Sequence, residues 1–158
     1  AEGYIESEIM PMYIAELFWK YLSEAERNLA KLAELEVEYP SLQDASITIS
    51  YQELSDRLQI CDDMVQKFPK DDLHPQIVAC QKFYLSLLLA GADNSVPFDW
   101  ETKKLNTELR QTIINYIAEH PESESTKTLK EFIAIMKRNN YQSSTESDAF
   151  LRKISTED

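Results

Sequence analysis

Only two glycines, Gly3 and Gly91, occur in 158 residues. Glycine is what lets a chain enter the left-handed backbone region in tight turns and lets a main chain close on a phosphate. A chain this poor in it is a poor candidate for β-rich folds and for glycine-loop nucleotide folds, so helices are left as the main building material. The six prolines then act as punctuation, because each fixes φ and removes a donor from the helix ladder. Pro11, Pro40, Pro69, Pro75, Pro97 and Pro121 divide the chain into segments.

Within those segments the apolar residues recur every three or four positions, the period of one helix face. Across residues 12–39 the face runs Ile14, Phe18, Tyr21, Ala25, Leu29, Leu32, Leu35 and Tyr39, which predicts one long first helix stopped by Pro40. Residues 41–49 read as a connector, and SITIS, lacking a strand to pair with, reads as loop. Ser50 and Glu53 have capping-box spacing. They open a second helix with the face Leu54, Leu58, Cys61, Val65 and Phe68, ended by Pro69.

Pro75 suits the first turn of a third helix, which ends at Gly91. That segment, QIVACQKFYLSLLLA, is apolar around most of its circumference and predicts a buried central helix, with Gln81 and Lys82 as its wet edge. In the loop ADNSVPFDW, Val96, Phe98 and Trp100 are expected to anchor the chain while Asp99 caps a fourth helix. That helix carries Leu105, Leu109, Ile113, Tyr116 and Ile117 and stops at His120-Pro121. A fifth, capped near Ser125, presents Leu129, Phe132, Ile133 and Met136 and closes at Asn139-Asn140. The reading is an all-α chain, a single compact domain of five to six helices over residues 1–141, with residues 142–158 as a tail or a short docked helix.

A net charge of −12 repels the phosphate backbone, which argues against a nucleic-acid partner. It would steer a basic protein towards the chain, although acidic surfaces also serve solubility alone. No apolar run approaches the ~20 residues of a membrane span. The chain opens at Ala1 without a methionine, which fits a mature product whose leader has been removed; a cytoplasmic origin is the alternative.

Residue chemistry points away from catalysis and cofactors. The two histidines, His74 and His120, each precede a proline and lack a second His or Cys at metal-ligand spacing, so they read as helix boundaries. No metal or cofactor is expected. Cys61 and Cys80 lie in apolar helical faces, where a thiol is inert, and the composition leaves a disulfide and two buried thiols equally open. No GxSxG elbow or phosphate loop is present. The pairs Asp62-Asp63 and Asp71-Asp72 read as solvated helix ends.

Residues 80–141 resemble the small all-helical periplasmic immunity proteins that neutralise cell-wall amidase toxins delivered by type VI secretion systems. The resemblance rests on Cys80, Tyr84 and Gly91, then Pro97, then Tyr116, Ile117, His120 and Pro121, then Leu129, Phe132, Ile133 and Met136. The chain departs from that pattern at Val96-Pro97-Phe98 and Asn139-Asn140-Tyr141, where the family often carries cysteines. The resemblance implies a periplasmic or secreted protein with a Cys61–Cys80 disulfide. It also implies a non-enzymatic inhibitor that occludes the active site of a basic secreted toxin.

Loops between rigid helices commonly carry recognition, which nominates Asp71 and Asp72 in the linker 70–74, and Asp93, Asn94, Phe98, Asp99 and Trp100 in the loop 93–100. The alternative is a helical adaptor or chaperone-like module docking through the aromatic face of the first helix, where Tyr4 (outside the residues the structure describes), Tyr13, Phe18, Trp19 and Tyr21 cluster, although most such stripes are core. Association into a homodimer stays open in either case.

Overall fold

The computed structural model describes residues 11–156. Over these residues the order is α1 Pro11–Phe18, α2 Glu24–Glu38, β1 Leu42–Gln43, β2 Ser46–Ile47, α3 Tyr51–Lys67, α4 His74–Ala90, α5 Thr107–Glu119, α6 Glu124–Arg138 and α7 Thr145–Thr156. Among the described residues the protein is all-α apart from one two-stranded hairpin. Seven helices appear among the described residues where the sequence suggests five or six. The chain divides into two compact units at Pro40, each described in turn.

The N-terminal unit corrects the expectation of a long first helix. Helix α1 stops at Phe18, and Ser23 starts a new one by a capping box: its hydroxyl accepts from the Glu26 amide, and the Glu26 carboxylate accepts from the Ser23 amide at 2.6 Å. Ending one helix and capping another here satisfies amides that one continuous apolar stripe conceals. Between the helices, the Arg27 Nε donates to the Trp19 carbonyl, and Arg27 and Lys31 lie over the Trp19 ring.

In the second unit the connector does contain a strand pair. Leu42 pairs with Ile47 and Gln43 with Ser46, turned by Asp44 and Ala45, both at positive φ. Positive φ at both central residues is what the tightest hairpin turn requires, and the partner of SITIS lies only a few residues upstream. Helix α3 begins at the expected Ser50–Glu53 capping box. It pairs closely with α4; α5 packs on α3, and α6 on α5. The core holds Leu54, Leu58, Ile77, Tyr84, Leu88, Leu109, Ile113, Leu129, Phe132 and Met136. Helix α7 docks on α4 and α6, with Phe150 stacked on Phe132 at 6.0 Å and Arg138 paired with Glu146 at 2.5 Å.

One expectation about helix α5 is corrected. Asn106, not Asp99, caps α5, its Oδ1 accepting from the amides of Glu108 and Leu109. Leu105 therefore precedes the helix and is buried from the loop. No disulfide joins Cys61 and Cys80. Burial, then the neighbouring Cys80 and then Asp62, push the Cys61 thiol far up, so it stays protonated.

Candidate functional site

Because α3 and α4 are joined by a six-residue linker and run antiparallel, the second unit has two ends. The loop 92–106 lies at one end, beside the β-hairpin and the start of α3. The linker 68–73 and the α5–α6 junction lie at the other. The sequence-nominated residues are thus split: Asp93, Asn94, Phe98, Asp99 and Trp100 share the first end, while Asp71 and Asp72 belong to the second.

The loop end is tied down by main-chain bonds together with side-chain clips. Ala92 and Ser95 exchange amide-to-carbonyl bonds, and Gly91 makes the approach possible, since a Cβ there would lie 2.2 Å from the Ser95 oxygen. Asn94 donates its amide to the Ala45 carbonyl at 2.9 Å and its Nδ2 to the Asp44 carbonyl at 3.0 Å, locking the loop to the hairpin. The Ile47 amide donates to the Ser95 hydroxyl. Further on, Asn106 bonds to Pro97, Leu105 to Tyr141 and Ser143 to Lys103.

Asp99 closes a local turn in this loop: its Oδ1 accepts from the Thr102 amide and hydroxyl, both at 2.7 Å. These bonds, the amide first, hold its carboxyl below the ordinary carboxylate range. Phe98 is half-buried beside Leu105, but Val96 and Trp100 do not anchor the loop. They are 57% and 76% exposed, with the Lys103 ammonium 5.9 Å from the Trp100 ring centre. The backbone bonds already fix the loop, so its largest apolar side chain is left pointing outwards.

The other end holds what the sequence reading missed. Asp62 is 4% exposed and accepts four hydrogen bonds. Its Oδ1 accepts from Gln81 Nε2 and from Ser125 Oγ at 2.8 Å; its Oδ2 accepts from Tyr116 Oη at 2.5 Å and from Ser123 Oγ. One carboxylate on α3 thus ties α4, α5 and the start of α6 together. Gln81, expected on a wet edge, is buried because it belongs to this cluster. Ser123 occupies the α6 N-cap position yet gives its hydroxyl to Asp62 rather than to the helix. Burial, then the Asp62 bond, push the Tyr116 phenol well above its ordinary range, so Tyr116 is a donor across the physiological range.

Over this cluster opens a cleft of about 590 Å³, lined by Asp62, Asp63, Gln59, His74, Glu119, His120, Glu122 and Glu124 among others. The two histidines, treated in sequence as unrelated helix boundaries, line the same cleft. His120 also packs its ring against Tyr116, 4.9 Å between centres. Asp71 and Asp72 do not line the cleft: Asp71 caps the linker turn by accepting from the Leu73 amide, and Asp72 is exposed. Among the described residues no group of three or more His, Cys, Asp or Glu side chains is placed to hold a metal ion. No helix among them is long and apolar enough to cross a membrane. No family model, curated protein or solved structure matches this chain.

Proposed function

We propose that this protein is a non-enzymatic, protein-binding inhibitor that neutralises a secreted bacterial toxin by covering its active site, with the loop 92–106 as its contact surface. The observation that carries this reading is Trp100, 76% exposed on a loop whose backbone is bonded on both sides. Tryptophan is enriched among the residues that dominate interface energies, and a loop already ordered loses little entropy on binding. A net charge of −12 favours a basic partner by raising the encounter rate and opposes a second copy of this chain. The resemblance of residues 80–141 to periplasmic immunity proteins supplies the toxin and the compartment.

A helical adaptor is the second reading, favoured by a different observation: Tyr13, Leu17, Phe18 and Tyr21 are all exposed in and just after α1. A photo-crosslinking residue placed at position 100 or at position 17, in the native host, separates the two. The inhibitor reading expects one protein crosslinked from position 100, whose purified activity is blocked by this chain. Trp100→Ala should then weaken inhibition by about 30-fold or more, the effect of losing an interface anchor. Crosslinks confined to position 17, or a partner whose activity is unaffected, overturn it.

A further inference from the structure

The cleft at the Asp62 end has a one-sided hydrogen-bonding character. Asp62 has no capacity to spare, because four donors already occupy its two oxygens. The acidic residues Asp63, Glu119, Glu122 and Glu124 line the cleft, and among the described residues neither lysine nor arginine does. Two further wall residues each carry a buried side-chain atom without a hydrogen-bond partner, Gln59 Oε1 and His74 Nδ1. Gln59 spends its Nε2 on Asp63 at 2.7 Å, which leaves the orphaned oxygen as an acceptor only. His74 Nδ1 is likewise an acceptor when the ring carries its proton on Nε2.

Buried acceptors without donors are uncommon in native proteins, because each leaves a desolvated polar atom uncompensated. Two of them in the walls of one acidic cleft therefore point to something that brings donors and positive charge and no acceptor. We propose that this cleft binds the guanidinium group of an arginine presented on a peptide chain, independently of the Trp100 loop. A guanidinium offers five donors in one plane and is weakly hydrated, which suits acceptors spread around a cleft. An ammonium is a compact, strongly hydrated point charge and suits one converging set. A divalent cation needs a convergent ligand group, and none is placed here among the described residues. The volume of about 590 Å³ accommodates the side chain together with flanking peptide.

The test is an NMR titration of the isotope-labelled full chain with acetyl-Gly-Arg-Gly-amide and with its lysine and citrulline counterparts. Citrulline keeps the shape, removes the charge and puts an acceptor oxygen where arginine has one of its NH2 donor groups. The arginine peptide should give saturable shifts at residues 59–66 and 119–124 with a dissociation constant on the order of millimolar. The lysine peptide should bind at least about threefold more weakly, and citrulline not measurably. Gln59→Met removes one orphaned acceptor and should weaken the arginine peptide about threefold or more while leaving the melting temperature unchanged or raised. Equal response to citrulline, shifts spread over the whole acidic surface, or no saturable shift overturns the proposal. An unaltered arginine affinity in a folded Gln59→Met protein overturns the role of the orphaned acceptors.

Discussion

The two ends of the 41–158 unit are fixed by different parts of the chain. At the loop end the bonds run from main chain to main chain, with side chains of Asn94, Ser95 and Asp99 as local clips. At the cleft end the bonds converge on one side chain, Asp62, whose four donors come from as far as 63 residues along the chain. A backbone-held end releases its side chains for other uses, and Trp100 is the result. An end held by a side chain concentrates its stability in a few atoms, whose neighbours must stay donors.

The sharpest way to break this contrast is Asp62→Ala. It leaves the hydroxyls of Tyr116, Ser123 and Ser125 and the Gln81 amide short of their acceptor, and the cost should be on the order of 3 kcal/mol or more. Urea denaturation would measure it, and hydrogen exchange should show the loss concentrated at the α5–α6 junction. A loss below about 1 kcal/mol would mean that the four helices are held by their apolar contacts alone.

At the opposite end the sensitive position is Gly91, at φ +75°, a conformation side chains rarely adopt. Gly91→Ala adds a Cβ 2.2 Å from the Ser95 carbonyl oxygen and 3.1 Å from Pro97 Cδ. Strain of this kind costs about 1–3 kcal/mol, and main-chain atoms cannot swing aside as a flexible side chain can. Lost protection at the Ala92 and Ser95 amides, with the α5–α6 junction intact, would localise the damage; equal loss at both ends would show one cooperative unit instead of two separately held ends.

Much of this fold is legible because helix boundaries are local. Ser50 with Glu53, Pro69, Pro75, Gly91 and His120-Pro121 all mark helix ends, and each signal spans only a few residues. The Ser23–Glu26 box has the same spacing but sits inside an apolar stripe that reads straight through it. The Asp62 cluster had a signal too. Leu54, Leu58 and Asp62 fall at i, i+4 and i+8, and Ile77, Gln81, Tyr84 and Leu88 share one face of α4, so both polar residues stand in apolar stripes. What no local pattern supplies is their partner across 19 residues, or the meeting of His74 and His120 in one cleft. Trp100 fails for another reason: a large apolar residue in a loop is compatible with core and surface alike.

A gentler probe of the cleft end is alkali. The Cys61 thiol and the Tyr116 phenol both titrate higher in the folded chain than in the unfolded one, where they ionise near 9 and 10. The unfolded chain thus releases these protons first as pH rises, and the stability from keeping them bound, complete below pH 9, is lost above it. Each group can add a slope of at most about 1.4 kcal/mol per pH unit. Stability measured from pH 8 to 11 should fall with a slope that steepens twice, near pH 9 and near pH 10, and Cys61→Ala should abolish the earlier onset. An unchanged profile in that variant would place the alkaline sensitivity elsewhere.

The smallest expected change in stability is at Trp100. The ring is mostly exposed, touched by the Lys103 ammonium, and the loop beneath it is fixed by bonds that do not involve the indole. Trp100→Ala should therefore shift the unfolding free energy by no more than about 0.5 kcal/mol. The Thr102 amide, donated to Asp99, should keep its exchange protection in that variant. A loss of 2 kcal/mol or more would show that the indole holds the loop, and the backbone could then no longer be credited with freeing it to serve as a contact. A near-neutral substitution that still abolishes partner inhibition would leave recognition as the remaining use of so large an exposed ring on so well-anchored a chain.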